Sequence, residues 1–115
     1  MVGREQYVPE QGDIVWLKSA SHVVGRKQAG RRMALVVSPR AYNERVGLAL
    51  FCPIISSIKG YPFEVGLGSK GKAKRVILSD QVKSLDWRAR KVQKFDRVSE
   101  ETMLEVVAKI GTLVG

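Results

Sequence analysis

Four cationic side chains are concentrated in residues 25–32 of this sequence, which read GRKQAGRR: Arg26, Lys27, Arg31 and Arg32. This stretch passes directly into the apolar residues 33–37, whose composition is typical of a buried strand. Because Arg32 borders that strand, the core beneath should hold its side chain in place, whereas a cation farther into the loop stays mobile. A fixed guanidinium can grip two phosphate oxygens at once. The spacing therefore predicts an anion-binding position at Arg32.

Polar side chains from several other segments are of the types that bind nucleic acid. Arginine and lysine neutralise phosphate, while serine and glutamine hydrogen-bond to phosphate or to base edges. The set comprises Gln28, Arg31, Arg32, Asn43, Ser56, Ser57, Lys59, Gln81 and Lys83. The aromatic residues Tyr42, Tyr61 and Trp87 lie nearby in the sequence, and unpaired bases could stack on their rings. Each residue alone is compatible with an ordinary surface position. Together they favour binding of single-stranded RNA, and composition leaves open whether that RNA is bound or cut.

The balance of charge also indicates a polyanionic partner. The chain has 20 Lys and Arg against 11 Asp and Glu, and its pI is about 10.1. The excess lies between Arg26 and Arg97, where 17 basic residues stand against 5 acidic ones, and the remainder of the chain is net acidic. A middle section this basic favours nucleic acid over a surface that is basic only for solubility.

The usual catalytic groups of hydrolases are missing or scattered. His22 is the only histidine, which excludes a pair of histidines acting as acid and base. The acidic residues do not cluster and no metal-ligand spacing occurs, so neither a metal ion nor another cofactor is expected. Cys52, the single cysteine, falls in an apolar run and is interpreted as a buried thiol. The GLGSKG motif at residues 66–71 precedes a strand pattern, whereas a dinucleotide site needs a helix there.

These residues must be positioned by a small, strand-rich fold. Strands are predicted at residues 13–18, 33–38, 48–55, 63–65 and 73–79, with weaker patterns at 80–86 and 92–98. Residues 41–47 read as a turn, and Pro53 indicates an edge position or a bulge near the end of the third strand. Asp86 is expected to cap a short turn that follows it.

One helix is predicted at the end of the chain, beginning after Ser99, a good N-cap residue. Its apolar face, used in the core or in a dimer, would consist of Met103, Val107, Ile110 and Val114. Short, closely spaced strands followed by a terminal helix predict a mainly β fold, a small and strongly bent SH3-like barrel.

Length and composition set the broad class. A chain of 115 residues is expected to form one domain, residues 1–115, with room for a hydrophobic core. The N-terminal residues lack the apolar stretch of a signal peptide, and no apolar run is long enough to span a membrane. A single cysteine favours a reducing compartment, so a cytoplasmic protein without a membrane partner is expected.

Several longer motifs resemble the MazF/PemK family of toxin endoribonucleases. They are YVPEQGDIVW at residues 7–16, GRKQAGRR at 25–32, VVSPRAYN at 36–43, KGYPFEV at 59–65 and SDQVKSLDWRAR at 79–90. The motifs occur in the family's order with near-family spacing, and with the terminal helix they cover almost the whole chain. KGYPFEV and DQVKSLDWRAR are far more specific than the GLGSKG match.

This resemblance implies a single MazF/PemK-like toxin domain with the SH3-like barrel of plasmid-maintenance toxins, assembled as a homodimer. It implies a type II toxin that cuts single-stranded mRNA at a short sequence without a metal ion, and so inhibits translation and growth. The ribose 2′-OH would be the nucleophile, leaving a 2′,3′-cyclic phosphate and a 5′-OH end. The resemblance also implies a cognate antitoxin, whose acidic and largely disordered tail lies in the RNA groove and blocks it.

The family's functional residues can be carried over by position. Its catalytic arginine falls on Arg32, where a guanidinium would stabilise the phosphorane-like transition state. Its catalytic threonine falls on Ile55, which cannot donate a hydrogen bond. Ser56 matches the next hydroxyl position and is preferred as the replacement, with Ser57 close behind because it shares the strand face of Ile55. The residues expected to contact RNA are Lys27, Gln28, Arg31, Asn43, Lys59 and Gln81.

Two other functions remain open from the sequence. The first is a non-catalytic toxin on the same barrel, such as an inhibitor of a topoisomerase. Ile55 favours this alternative, because it stands where the family has its catalytic threonine. The second is a nucleic-acid-binding module of the translation machinery. The first would arrest growth while mRNA stays intact, and the second would associate with ribosomes without toxicity.

Overall fold

Alternating apolar residues form an antiparallel sheet in the computed structural model, which describes residues 6–19, 30–68 and 74–115. The strands within these residues are β1 Asp13–Lys18, β2 Arg31–Val36, β3 Leu48–Ile55, β4 Glu64–Leu67, β5 Arg75–Leu78, β6 Lys83–Asp86 and β7 Gln93–Arg97. The helices are α1 Arg40–Val46 and α2 Glu100–Val114. The sheet order is β4-β5-β3-β2-β1-β7, and β6 also pairs with β3. The sheet curls into a half-barrel, so the expected mainly β barrel with a C-terminal helix is confirmed.

β3 holds the two halves of the sheet together. Its first half, Leu48 to Phe51, pairs with β6, and its end, Ile54 and Ile55, pairs with β5, while β2 lies along its other side. Pro53 falls just after the first ladder and just before the second. Proline cannot donate a backbone hydrogen bond, and here it sits where the strand changes partner. The expected edge position is therefore wrong, because β3 lies in the interior of the sheet.

The two faces of the sheet bury different clusters. One face, called the helix-covered face, is closed by Met103 and Val106 of α2; its sheet residues are Ile14, Leu35, Val37, Cys52, Ile54, Val65 and Ile77. The other, called the open face, buries alternate residues of the same strands under the N-terminal segment and the turn after β6; its cluster is Val8, Val15, Leu17, Ala34, Val36, Ala49, Phe51 and Trp87. Because side chains alternate along a strand, neighbouring residues serve opposite faces.

β2 begins two residues earlier than the apolar pattern predicts. Arg31 and Arg32 pair with Lys18 and Leu17 of β1, so both arginines are strand residues. Hydrophobicity alone could not place them in the strand, because the pairing with β1 is a long-range interaction. As a result, the two side chains are fixed on opposite faces of the sheet.

Residues 41–46 do not form the expected turn but belong to α1, and Gly47 is its C-cap. The helix ends at Gly47, whose φ of +83° is the left-handed conformation that closes many helices. Asn43 has a weak helix preference, but its side chain is fully buried and bonded to neighbouring segments. These tertiary contacts outweigh the local preference.

The terminal helix is confirmed, with a correction to its apolar face. The Ser99 side chain accepts a hydrogen bond from the Thr102 backbone N–H and caps α2, as expected. Met103 and Val106 are the buried residues, whereas Val107 is 42% exposed and Val114 is 82% exposed. None of the described helices has the length and apolar character needed to cross a membrane.

Candidate nucleic-acid interface

A groove of about 410 Å³ opens on the open face, beyond the edge of its buried cluster. Its polar lining consists of Lys18, Ser19, Arg32, Gln81, Lys83 and Arg90. Its apolar lining consists of Leu17, Met33, Ala34, Phe51, Pro53, Ile55, Leu78 and Leu85. The groove therefore combines an apolar floor with charged walls, which suits the bases and phosphates of a single strand.

Strand alternation explains why these side chains converge. Phe51, Pro53 and Ile55 follow one another at every second position of β3, and all three line the groove. Arg32 lies two positions before Ala34 on β2, and both share the face of Leu17. The buried residues of the open face thus support the groove residues of the same strands. Arg32 is exposed at the edge of the core, next to the buried end of β2.

Every charged side chain in the described lining is a cation. The four are Lys18, Arg32, Lys83 and Arg90. The Lys18 backbone N–H donates to the Arg90 carbonyl oxygen at 2.8 Å, which fixes the turn after β6 against β1. A concave surface with one sign of charge concentrates counter-charged ligands and accelerates their association. The groove is therefore suited to phosphates or to acidic side chains.

Arg31 does not belong to this groove. Its guanidinium lies over the Trp16 ring, 5.5 Å from the ring centroid, and donates to Gln93 Oε1. Trp16 in turn stacks on Phe95 with 4.8 Å between ring centroids. Arg31, which was expected to contact RNA beside Arg32, thus lies on the opposite face of β2 from Arg32.

Asn43 was expected to contact RNA, and the structure contradicts this. Its side chain has no exposed surface, and its Nδ2 donates to the carbonyl oxygens of Pro9 at 2.8 Å and Ser38 at 3.0 Å. Its Oδ1 accepts from the Ser38 hydroxyl, and its backbone carbonyl accepts from Trp87 Nε1 at 2.9 Å. Asn43 ties α1 to three other segments and has no polar atom left for a ligand.

Ser56, Ser57 and Lys59 follow β3 in an exposed loop. None of the three is among the described residues that line the groove, although Ile55, directly before them, is. The loop is held by Glu64, whose carboxylate accepts from the backbone N–H groups of Lys59 at 3.0 Å and Gly60 at 2.8 Å. The structure thus places both serines beside the end of the groove.

Gln81 lies in the groove, as an RNA contact would require. Lys27 and Gln28 fall outside the described residues. Lys18 and Arg90 are groove cations that the sequence reasoning missed. They become neighbours only through the backbone contact between β1 and the turn after β6, and the only signal for Arg90 was its place in the motif SDQVKSLDWRAR.

The other chemical groups considered from the sequence lie away from the groove. Cys52 is fully buried on the helix-covered face, and burial raises the pKa of its thiol to about 12. Such a thiol stays protonated and is a poor nucleophile. The described residues contain no group of three or more His, Cys, Asp or Glu placed to hold a metal ion.

Comparisons with known proteins assign the family. The profile of the PemK-like, MazF-like toxins of type II toxin–antitoxin systems matches residues 10–114. The chain belongs to this family. It is 44% identical to the endoribonuclease toxin MazF of Escherichia coli strain K12 over 115 residues, which is the full length of both chains.

Solved MazF structures agree with this assignment. A crystal structure of MazF from Deinococcus radiodurans is 44% identical and superposes with a TM-score of 0.79, covering 96% of this chain and 99% of that one. A MazE–MazF complex from the same organism is 41% identical with a TM-score of 0.78, covering 95% and 98%. The resemblance to MazF/PemK toxins in the sequence motifs is therefore confirmed.

Proposed function

We propose that this protein is the toxin of a type II toxin–antitoxin system, an endoribonuclease that cuts single-stranded mRNA and thereby inhibits translation and growth. The observation that carries the proposal is the groove of a MazF-like chain, whose charged lining residues are all cations and include Arg32. The ribose 2′-OH attacks the adjacent phosphate and displaces the 5′-oxygen, so the products are a 2′,3′-cyclic phosphate and a 5′-OH end. The reaction needs no metal ion.

Arg32 is the proposed catalytic residue. Its guanidinium donates two hydrogen bonds to the phosphate oxygens, and these strengthen as negative charge develops in the phosphorane-like transition state. A guanidinium stays protonated at physiological pH, so its role here is to stabilise charge and not to remove the 2′-OH proton. The buried residues Leu17, opposite it on β1, and Ala34, two positions along β2, fix the backbone from which the guanidinium extends.

Ser56 and Ser57 are proposed to supply the hydroxyl that Ile55 lacks. Continued alternation from Phe51, Pro53 and Ile55 would direct Ser57 toward the groove, but β3 ends at Ile55. Beyond that residue, the loop conformation decides which hydroxyl reaches the phosphate. Lys59 in this loop and Gln81 in the groove are proposed RNA contacts, together with Lys27 and Gln28.

The same groove is proposed to bind the acidic tail of a cognate antitoxin. In solved structures from Deinococcus radiodurans, MazF is in complex with MazE, and a cationic groove suits an acidic peptide as well as RNA. The bound tail would exclude RNA and block cleavage. Because mRNA is the substrate, the proposed place of action is the cytoplasm.

A homodimer is proposed through surfaces outside the groove. Four apolar residues of α2 are exposed in the single chain, Leu104, Val107, Leu113 and Val114. Exposed apolar residues concentrated on one helix are typical of an interaction surface. The same domain organisation, one toxin domain over residues 1–115, is proposed for each subunit.

The test uses metal-free protein in the presence of a chelator, incubated with one RNA and with DNA of the same sequence. The RNA should be cut and the DNA left intact, since DNA lacks the 2′-OH. Arg32→Ala should lower the cleavage rate by roughly 10²–10³-fold, the usual loss for a group that stabilises transition-state charge. Arg31→Ala is the matched control, because it removes the neighbouring guanidinium from the other face, and it should leave the rate within a few-fold of wild type.

Three results would contradict the mechanism: cleavage of DNA, a requirement for a divalent ion, or full activity of Arg32→Ala. Sequencing the new 5′-OH termini of one long RNA would also report the cleavage site.

A non-catalytic toxin is the second candidate, and one observation favours it. Ile55 places an apolar side chain in the groove at the position of the family's catalytic threonine. Growth arrest by the wild-type protein while cellular mRNA remains intact would support this candidate and exclude the ribonuclease.

A further inference from the structure

Tyr61 connects two segments that meet beside the groove. It lies in the β3–β4 loop, residues 56–63, and its hydroxyl donates to Asp80 Oδ1 at 2.8 Å. Asp80 belongs to the turn between β5 and β6 and directly precedes Gln81, which lines the groove. The hydrogen bond to Asp80 raises the pKa of the Tyr61 hydroxyl. The hydroxyl thus holds the residue that directly precedes Gln81.

The loop that carries Tyr61 is fixed from several sides. Glu64 binds the backbone N–H groups of Lys59 and Gly60, and its own N–H donates to the Tyr61 carbonyl oxygen at 3.1 Å. Lys109 of α2 donates to the Pro62 carbonyl oxygen at 2.7 Å. A tyrosine held in this way has little conformational freedom to lose when a ligand binds, so it can orient a neighbouring side chain effectively.

The hydrogen bond from Tyr61 also gives a reason for the presence of an acidic residue, Asp80, beside a cationic groove. A carboxylate next to the path of RNA repels phosphate and should weaken binding. Asp80 accepts a hydrogen bond from the Tyr61 hydroxyl, and its charge strengthens this bond. The turn that carries Gln81 is thereby held beside the groove, where the Gln81 backbone N–H also donates to the Leu78 carbonyl oxygen at 3.2 Å.

We infer that Tyr61 is a positioning residue for RNA recognition, which holds Asp80 and thereby places the following residue, Gln81, in the groove. The inference rests on the proposed function, and it assigns to Gln81 a hydrogen bond with a base or sugar of single-stranded RNA. An amide kept at one place in the groove can hydrogen-bond to the edge of an unpaired base. Tyr61 therefore contributes to which RNA sequence is accepted, without touching the reacting phosphate.

The first experiment is a double-mutant cycle with Tyr61→Phe and Gln81→Ala. Binding is measured with an RNA that carries 2′-O-methyl groups and cannot be cut, so that affinity is separated from the chemical step. Tyr61→Phe should weaken binding about 2- to 10-fold, the range expected for one hydrogen bond. In the double variant the two losses should not add, because phenylalanine has already released the turn that places Gln81 in the groove.

A purely structural role for Tyr61 predicts a different result. The losses would then add, and the Tm of Tyr61→Phe would fall in parallel with its affinity. Additive losses, or wild-type affinity for Tyr61→Phe, would overturn the inference. With cleavable RNA, Tyr61→Phe should raise KM and leave kcat within about twofold, because the hydroxyl acts on binding and not on the phosphate.

The second experiment compares Asp80→Asn with Asp80→Ala. Asparagine keeps an acceptor for the Tyr61 hydroxyl and removes the negative charge, so Asp80→Asn should bind RNA at least as tightly as wild type. Asp80→Ala removes the acceptor and should weaken binding as Tyr61→Phe does. Equal losses in both variants would mean that the carboxylate charge itself is required, which contradicts the positioning role.

Failure of this inference can be told apart from failure of the proposed function. If the wild-type protein binds and cuts RNA but Tyr61→Phe behaves as wild type, only the positioning role is wrong. If the wild type binds the methylated RNA but cuts no RNA, the nuclease is wrong, and the same binding cycle still decides the role of Tyr61. If it neither binds nor cuts RNA, both proposals are wrong.

Discussion

On the helix-covered face, Met103 and Val106 of α2 close over the sheet and leave Leu35 and Cys52 without exposed surface. On the open face, alternate residues of the same strands build a buried cluster that stops short and ends in a cationic groove. The difference shows that one set of strands provides stability on one side and a binding surface on the other. A single step along a strand separates the two roles.

Arg31 and Arg32 show this division at its smallest scale. The two residues are identical in type and adjacent in β2, yet one lies on Trp16 and the other lines the groove. Their chemistry therefore depends on strand direction and not on the local sequence. The predictions below test whether stability and RNA binding separate between the faces in the same way.

The largest effect is expected from identical substitutions on the two faces, Leu35→Ala and Leu85→Ala. Leu35 is fully buried under α2, so its truncation should lower the free energy of unfolding by about 2–5 kcal/mol. Its cleavage rate per folded molecule should remain that of wild type. Leu85 is only partly buried and lines the groove, so its truncation should cost less stability and weaken RNA binding.

Urea unfolding and RNA titration of both variants measure the two effects. If Leu35→Ala weakens RNA binding as much as Leu85→Ala does while remaining folded, the faces are coupled and the separation of roles is wrong.

Much of the fold followed from local pattern. β1 and β3 have the bounds that their runs of apolar, β-branched and aromatic residues predict, and the Ser99 cap marks the start of α2. These features depend on residues that are close in sequence. Arg32 could be placed for the same reason, because the apolar run that supports it comes directly after it.

The remaining features depend on contacts between distant residues. The polar type of Asn43 suggested a ligand contact, but its partners Pro9 and Trp87 come from other parts of the chain. Likewise, Lys18 and Arg90 meet only because the turn after β6 packs against β1. A list of residue types cannot distinguish a polar side chain that binds a ligand from one that forms hydrogen bonds with buried backbone groups.

Cys52 gives a pH-dependent test of how well α2 seals its face. Burial raises the pKa of the thiol from 9.0 to about 12, so the unfolded chain loses this proton at a lower pH than the folded protein does. The stability contributed by the protonated thiol is present below pH 9 and falls as pH rises from 9 toward 12. Between pH 8 and pH 10, the free energy of unfolding of the wild type should therefore fall by about 1.4 kcal/mol more than that of Cys52→Ala.

The measurement is urea unfolding of both proteins under reducing conditions at these two pH values. The variant is the control for every other group that titrates in this range. Identical pH dependence of the two proteins would mean that solvent reaches the thiol, and the helix-covered face would then not be sealed.

The smallest effect is a change of salt dependence, tested with the matched pair Arg90→Ala and Arg75→Ala. Arg90 lines the groove, whereas Arg75 lines a second cavity beside the N-terminus of α2, together with Ile14 of the helix-covered face. A contact with one phosphate of a single strand contributes about 0.7 to the slope of log K against log salt concentration. Arg90→Ala should reduce the slope by roughly that amount, and Arg75→Ala should leave it unchanged.

Titration of a non-cleavable RNA at several salt concentrations gives both slopes. Because each variant removes one positive charge, a general effect of net charge would lower the two slopes equally. A difference between them would instead locate the phosphates in the groove, on the face where Arg32 lies. An equal change would show that RNA spreads over both faces, and the open face would lose its distinct role in binding.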